Sequence, residues 1–150
     1  MRFSGADYIE AASERVTAAR ALYAAHRYGE AIYLAGVAVE CVLRAFAVTR
    51  TTEFDARHDL PSLMEVAALN HIMGSQARKI TIAFGEVWAR WRNNYRYAPD
   101  RRIFADLKQR KLDRRIKGDA FKENARIALE NALIIVNKGA LQWNKNSGRR

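Results

Sequence analysis

The residues best suited to chemistry in this sequence form one short run, Arg92-Asn93-Asn94-Tyr95-Arg96-Tyr97-Ala98-Pro99-Asp100. The run combines cationic and aromatic side chains, and guanidinium groups bind phosphate and carboxylate through paired hydrogen bonds. Because a proline pushes the preceding residue out of helical geometry, we expect the run to lie at the end of a helix that Pro99 terminates. These residues therefore predict an anion-binding site.

Aromatic side chains precede and accompany the arginines of this run. Trp88, Trp91 and Tyr95 could stack on nucleobases beside the cations, a mixture that single-stranded RNA binders use. Their helical spacing also fits packing in a core, and we expect core packing for both tryptophans. Tyr95 and Tyr97, nearer the end of the helix, are the better candidates for contact with a ligand.

The whole chain is basic, with a net charge of +10 and a pI near 10.2. Clustered lysines and arginines release counterions when they bind phosphates, so this charge favours polyanionic partners. The excess is uneven, because eight cations lie between positions 101 and 117: Arg101, Arg102, Lys108, Arg110, Lys111, Arg114, Arg115 and Lys117. Both a solvated helix face and a nucleic-acid surface are compatible with this pattern.

Helices must position these residues. With only two prolines and eight glycines, the chain has few of the residues that mark turns between strands. Its apolar residues recur at helical spacing. We predict one all-α domain over residues 1–150, built from about five to six helices, with a flexible tail at 144–150.

The predicted helix bounds follow from caps and breakers. Ser4 with Asp7, Asp59 and Ser75 are the expected N-terminal caps, and the stretch from Thr51 to Arg57 is an expected loop. The predicted helices run from Ser4 to Arg27, Gly29 to Arg50, Asp59 to Asn70, Ser75 to the residues before Pro99, Arg101 to Lys117, and Gly118 to Trp143. The second, apolar on nearly every side, is expected to lie centrally.

Several kinds of chemistry are not expected from this sequence. It has no helical His-x-x-x-His pair, cysteine cluster or carboxylate grouping for a metal, and no Walker loop, Gly-x-Gly-x-x-Gly or Gly-x-Ser-x-Gly motif. We therefore expect no metal and no cofactor. Cys41 is the only cysteine, no secretion signal is recognised, and the apolar stretch around it is interrupted by charges, so we expect a cytoplasmic protein without a membrane span.

Three local patterns, in this order, resemble the HEPN family, the helical "higher eukaryotes and prokaryotes nucleotide-binding" domains. The run Ala38-Val39-Glu40-Cys41-Val42-Leu43-Arg44-Ala45 is similar to the signature of that family's second helix. His58-Asp59-Leu60-Pro61-Ser62-Leu63 resembles the His-Asp-Leu-x-x-Leu start of its short third helix, and Tyr95-Arg96-Tyr97-Ala98-Pro99-Asp100 is close to an Arg-Tyr-Pro run. Together they span most of the chain.

The resemblance implies an up-and-down bundle, usually a homodimer whose basic cleft binds RNA or nucleotides. Active members are metal-independent ribonucleases with an arginine, often followed by a polar residue, and a histidine after four to six intervening positions. The arginine would hold the phosphate while the histidine manages the 2′-hydroxyl proton. Arg92-Asn93 matches the opening, but all three histidines lie upstream and Tyr97 takes the place of the expected one. A phenol, whose pKa is ordinarily about 10, is a poor proton carrier at neutral pH.

A second match to this motif, Arg20 with His26 after five intervening residues, is attributed to chance. Positions six apart on a continuous helix point about 120° away from each other, so this pair would not converge on one phosphate. His26 also continues the apolar stripe of the first helix. We expect it to be hydrogen-bonded and partly buried.

Glu40 lies in a nearly all-apolar helix, where an unpaired carboxylate would be costly to bury. Arg44, four residues on, is the local candidate for its partner. The alternative, which the family resemblance suggests, is that Glu40 reaches Arg92 or Arg96 and orients them at the site.

Three hypotheses of function remain. The first is a homodimeric, non-catalytic HEPN-like protein that binds RNA or a nucleotide in a basic groove. It would serve a prokaryotic toxin-antitoxin or phage-defence system, with a small nucleotidyltransferase as its partner. In it Arg92 and Arg96 hold phosphate while Asn93 and Tyr97 add hydrogen bonds. The second is an active ribonuclease in which Arg92 works with Tyr97 or a histidine from elsewhere. The third is a protein-protein interaction module.

Overall fold

Helices account for all the regular structure of the described residues. The computed structural model describes residues 1–51 and 59–148. Its helices are α1 (Gly5–Ala24), α2 (Tyr28–Ala47), α3 (Leu60–Ala67), α4 (Leu69–Ile72), α5 (Ala77–Arg90), α6 (Asp100–Gln109) and α7 (Ala120–Ser147). Two 3-10 turns, Gly74–Gln76 and Asn93–Tyr97, lie before and after α5. Six of these helices have eight residues or more, which confirms the predicted all-α bundle.

Helix α2 lies at the centre of the bundle, as predicted. Fifteen of its 20 residues are buried, and it contacts α1, α7 and α3 and, less extensively, α5 and α6. Its apolar side chains belong to one core that also holds residues of α1, α5, α6 and α7. A helix that is apolar all round has to be enclosed in this way.

The N-terminal cap of α1 is the predicted capping box. The Ser4 hydroxyl accepts from the Asp7 backbone amide, and the Asp7 carboxylate accepts from the Ser4 amide in return. The predicted end of this helix at Arg27 was wrong, because the α-helix stops at Ala24 and His26 adopts a left-handed φ of 62°. The chain then turns directly into α2.

Two other predicted caps differ from the structure. Asp59 does occupy the residue before α3, but its carboxylate accepts from the Ser62 hydroxyl at 2.6 Å and caps no backbone amide. Ser75 lies within a 3-10 turn, and Gln76 precedes α5. The predicted loop from Thr51 to Arg57 lies outside the described residues, Thr51 excepted.

The C-terminal half also departs from the predicted bounds. Helix α6 ends at Gln109 rather than Lys117, and a connection without regular helix leads to α7. Helix α7 starts after Asp119, whose carboxylate caps it by accepting from the Lys122 amide. Residues 144–147, predicted to be part of a flexible tail, continue α7.

The departure that matters most for function is the early end of α5. This helix stops at Arg90 instead of continuing towards Pro99. Trp91 (φ −98°, ψ 144°) and Arg92 (φ −139°, ψ 140°) are extended, and a 3-10 turn follows. The run identified from its chemistry is therefore an ordered connection between α5 and α6 and not the last turn of a helix.

Candidate functional site

The connection from Trp91 to Pro99 is anchored on α2 by Trp91. Its indole is 3% exposed, and its Nε1 donates a hydrogen bond to the Tyr33 carbonyl oxygen at 3.1 Å. The indole lies so close to Gly36 that a Cβ atom there would be 1.9 Å from Trp91 Cδ1. A glycine on α2 thus provides the space that lets the chain leave α5 and cross the central helix.

Asp106 of α6 gathers three side chains around one carboxylate oxygen. Arg92 Nε donates to Asp106 Oδ2 at 2.9 Å, and Arg110 Nη2 donates to the same oxygen at 2.8 Å. The Tyr95 hydroxyl also donates to this oxygen, and it accepts from Arg110 Nη2 at 2.6 Å. The cluster fixes Arg92 and Tyr95 of the connection against α6.

The charges in this cluster are strongly coupled. Burial opposes ionisation of Asp106, but the hydrogen bonds from Tyr95 and Arg92 and the charge of Arg110 hold its pKa below the usual range. The hydrogen bond to Asp106 raises the pKa of Arg92. Burial, followed by the hydrogen bond to Asp106, raises the pKa of Tyr95. At neutral pH the cluster therefore holds two cations, one anion and a neutral phenol.

A cleft of about 690 Å³ opens beside this cluster. It is lined by Trp88, Ala89, Trp91, Arg92, Asn93, Asn94, Arg110 and Leu112. Arg92 and Asn93 were predicted to belong to the site, and both line it. The expectation of core packing is confirmed for Trp91 and wrong for Trp88, which is 41% exposed.

The other two predicted contact residues lie apart from this cleft. Arg96 and Tyr97 are exposed and are not among its lining residues, and the Arg96 guanidinium carbon lies 4.8 Å from the centre of the Tyr97 ring. They lie near Tyr33 of α2, whose pKa is raised by burial against the lowering influence of Arg96. Tyr95, expected to reach a ligand, is buried instead.

Glu40 forms its ion pair with the local candidate, Arg44. Arg44 Nε and Nη2 lie 2.8 and 2.7 Å from Glu40 Oε1, and both residues are buried. Between residues that the structure describes, no ion pair joins Glu40 to Arg92 or Arg96. The expectation that Glu40 orients these arginines is not met by direct contact, because Asp106 holds Arg92 on the α6 side.

The histidines that the structure describes lie away from the cleft lining. His26 is in the α1–α2 turn and exposed, contrary to the expected partial burial, although its Nδ1 is hydrogen-bonded with the Tyr28 hydroxyl at 3.2 Å as expected. Because α1 ends before it, the continuous-helix geometry used for Arg20 and His26 does not apply. His71 is in α4. His58 lies outside the described residues.

A buried asparagine supports the part of the cleft lining at Leu112. Asn124 of α7 accepts from Arg90 Nε at 2.9 Å and donates to the carbonyl oxygens of Leu112 at 3.0 Å and Ala120 at 2.8 Å. It is fully buried. These bonds join the end of α5, the α6–α7 connection and the start of α7, so they fix the position of Leu112 and its neighbour Arg110.

Sequence reasoning missed Asp106 and Asn124, and it treated Arg110 only as one member of a basic segment. Arg110 Nη1 donates to the Ala89 carbonyl oxygen near the end of α5, so this arginine joins two helices. A partial signal was present, since Asp106 and Arg110 are four residues apart and therefore neighbours on one helix face. That spacing does not indicate that Asp106 also binds Arg92, which lies 14 positions earlier in the chain.

Two kinds of feature are absent from residues 1–51 and 59–148. No group of three or more His, Cys, Asp or Glu side chains is arranged to hold a metal ion there. None of the helices has the length and apolar character needed to cross a membrane.

Comparison with known proteins gives a family assignment. No curated protein and no solved structure matches the chain significantly. A family profile described as "HEPN domain" matches residues 6–143, which is most of the 150-residue chain and includes every helix that builds the cleft. With its all-helical fold and this match, the chain belongs to the HEPN family.

Proposed function

We propose that this HEPN protein binds RNA or a nucleotide through the cleft between the end of α5 and the α6–α7 connection, and that it does so without cleaving the ligand. The family points to a nucleotide- or RNA-related role in general terms. The cleft is the site that we propose for that role. Its walls combine two arginines, two asparagines and two tryptophans, which supply charge, hydrogen bonds and aromatic surface.

The observation that carries the proposal is the way Arg92 is held. Its side chain is 49% exposed, and only Nε is engaged with Asp106. The bond to Asp106 uses Nε and neither of the two terminal nitrogens, so these can act as the paired donors that a phosphate accepts. The guanidinium is positioned in advance, which reduces the conformational entropy lost on binding.

Absence of catalysis is supported by the side chains around Arg92. The tyrosine nearest to it, Tyr95, has a raised pKa because it is buried and donates to Asp106. It is therefore a poor base at neutral pH. Tyr97, which takes the place of the family's histidine, is exposed and does not line the cleft. This arrangement favours binding over proton transfer.

The biological setting is proposed by family analogy alone. We propose a homodimer that acts in a prokaryotic toxin-antitoxin or phage-defence system, in the cytoplasm, with a small nucleotidyltransferase as protein partner. Arg96 and Tyr97, near Tyr33 on α2, form a second exposed cation and aromatic pair that is proposed to extend the contact with a longer RNA.

The test is replacement of Arg92 by alanine, with RNA binding followed by the fluorescence anisotropy of a labelled single-stranded oligonucleotide. Arg92→Ala should weaken binding about 10- to 100-fold, the effect of losing charge-assisted hydrogen bonds. Arg20→Ala is the matched control, because it removes the same charge from an exposed position of α1 that does not line the cleft. It should bind like the unmodified protein.

The same samples decide between binding and catalysis. Incubation with RNA in the presence of a chelator should leave the RNA intact. Metal-independent cleavage that disappears in Arg92→Ala and persists in Arg20→Ala would support the active ribonuclease instead. Weak affinity that does not change when Arg92 is replaced would support the protein-protein interaction module.

A further inference from the structure

Trp88 is a large aromatic residue of α5, a helix that packs in the core, but its own side chain is exposed. Helix α5 buries Ile80, Ala83 and Val87, whereas the Trp88 side chain next to them is 41% exposed. Exposing a large indole forgoes the free energy of burying its apolar surface. Its location is informative, because Trp88 lines the same cleft as Arg92.

The cleft thus presents different groups for different parts of one small molecule. Arg92 has two terminal nitrogens that Asp106 does not engage and that can bind a phosphate, and Trp88 has an exposed aromatic surface for a planar ring. Asn93 and Asn94, also in the lining, carry amides that can both donate and accept, as the edge of a nucleobase requires. Base, edge and phosphate contacts together are what recognition of a nucleotide needs.

We infer that the ligand of this cleft is an unpaired nucleotide whose base stacks on Trp88 while its phosphate binds Arg92. The inference rests on the proposed function and narrows it. Bases inside a duplex are stacked on one another and paired, so their faces cannot reach an indole. A free nucleotide and a nucleotide within single-stranded RNA share the required chemistry, and duplex RNA lacks it.

The experiment measures binding by anisotropy for the unmodified protein, Trp88→Ala and Trp88→Phe. The probe is a labelled single-stranded RNA, and the competitors are unlabelled duplex RNA, AMP and ribose 5-phosphate. Trp88→Ala should weaken binding of the single strand about 5- to 100-fold, and Trp88→Phe should retain most of the affinity because it keeps an aromatic face. Duplex RNA should compete poorly.

Two comparisons isolate the base from the phosphate. AMP should compete better than ribose 5-phosphate against the unmodified protein, and this advantage should disappear in Trp88→Ala. If AMP competes at concentrations comparable with the oligonucleotide, a free nucleotide is the ligand; if the oligonucleotide binds far more tightly, single-stranded RNA is. Either result supports stacking on Trp88, provided that the advantage of AMP depends on this residue.

Ile82→Ala is the matched control, because Ile82 is an exposed apolar residue of the same helix, 56% exposed, and does not line the cleft. It should bind like the unmodified protein, and circular dichroism should show both alanine variants to be folded. Equal weakening by Ile82→Ala and Trp88→Ala would overturn the inference. Unchanged RNA binding by Trp88→Ala would also overturn the inference. This includes the case in which the variant binds RNA normally but has a lower molar mass by light scattering than the unmodified protein.

The failure of this inference can be told apart from failure of the proposed function. If Trp88→Ala binds normally while Arg92→Ala binds weakly, the cleft binds a polyanion without stacking, and only the inference is wrong. If Arg92→Ala binds normally, the proposed function itself is wrong, whatever Trp88 does.

Discussion

Asp106 has a double role at the scale of single residues. It fixes Arg92 through Nε and neutralises part of the positive charge that would otherwise repel Arg110 from Arg92. One carboxylate cannot cancel two guanidinium charges, so the cluster keeps a net positive charge at neutral pH. This residual charge attracts a phosphate, while the hydrogen bonds keep Arg92 in the geometry that receives it.

The stability of the protein should depend on Asp106 in a pH-dependent way. Because its pKa is depressed in the folded state, its ionised form stabilises the fold at pH values above the pKa of the unfolded chain. This contribution is lost as the pH falls through the folded-state pKa. Asp106→Asn should therefore lower the free energy of unfolding by about 1–2 kcal/mol at neutral pH, and the difference should shrink in acid.

Urea denaturation followed by circular dichroism, at neutral pH and at about pH 3, measures both quantities. Asp113→Asn is the control, since Asp113 follows α6 and forms no ion pair with a described residue. It should have little effect at either pH. If Asp106→Asn lowers the free energy of unfolding by the same amount at both pH values, the carboxylate charge contributes nothing to stability.

Residue types alone identified part of the site. Arg92 and Asn93 could be selected because a guanidinium beside an amide suits an anion, and both line the cleft. Asp106 could not, because its contact with Arg92 depends on where α5 ends and how α6 returns. For the same reason Arg96 and Tyr97 were predicted to share a site with Arg92. The 3-10 turn separates them, and Arg96 and Tyr97 do not line the cleft.

At the scale of elements, the contact between Trp91 and Gly36 determines where the site is built. Most helices could be predicted from the periodicity of their apolar residues. Helix α2 lies centrally because it is apolar on nearly every side. The end of α5 could not be predicted in this way, because Trp88, Trp91 and Tyr95 are spaced as they would be on one continuous helix. The break is determined by a tertiary contact, the insertion of Trp91 against α2, which no local pattern reveals.

Replacing Gly36 by alanine should therefore damage both the fold and the cleft. The new Cβ would lie 1.9 Å from Trp91 Cδ1, so the indole and the attached connection must shift. We expect a loss of about 1–3 kcal/mol in the free energy of unfolding, as for other overpacked cores. RNA binding should weaken as well, because Arg92 is the residue after Trp91.

Gly85→Ala is the matched control for this substitution. Gly85 lies inside α5, and a Cβ atom there would meet no other described atom within 4 Å. Alanine favours a helix interior over glycine by about 1 kcal/mol, so this variant should be as stable as the unmodified protein or more stable. Thermal and urea denaturation compare the two variants. Equal effects of both would show that helix propensity, and not the Trp91 contact, governs the Gly36 position.

At the scale of the whole molecule, the net charge of +10 can act in two ways. A general positive field attracts any polyanion, and then the position of each charge matters little. Contacts with individual phosphates instead depend on position, and they release counterions that make affinity fall as salt rises. The third hypothesis, in which the basic residues only keep the protein soluble, predicts neither behaviour.

Two pairs of cations separate these cases. Arg114 and Lys117 follow Leu112 of the cleft wall. Arg78 and Lys79 lie at the start of α5, about 14 Å along the helix from Trp88, the first residue of α5 in the cleft lining, at 1.5 Å per residue. All four are exposed, and replacing either pair by glutamine removes the same two charges. The distance exceeds the Debye length of about 10 Å at 0.1 M salt, so the second pair is screened from the cleft.

Binding of single-stranded RNA measured across a series of salt concentrations should therefore distinguish the two double variants. Each phosphate contact on a single strand contributes about 0.7 to the slope of log affinity against log salt. Arg114→Gln with Lys117→Gln should reduce the slope by about 1.4, and Arg78→Gln with Lys79→Gln should leave it unchanged. Equal reductions would show that RNA responds to the total charge and not to the wall of the cleft, because both double variants lower the net charge by the same amount.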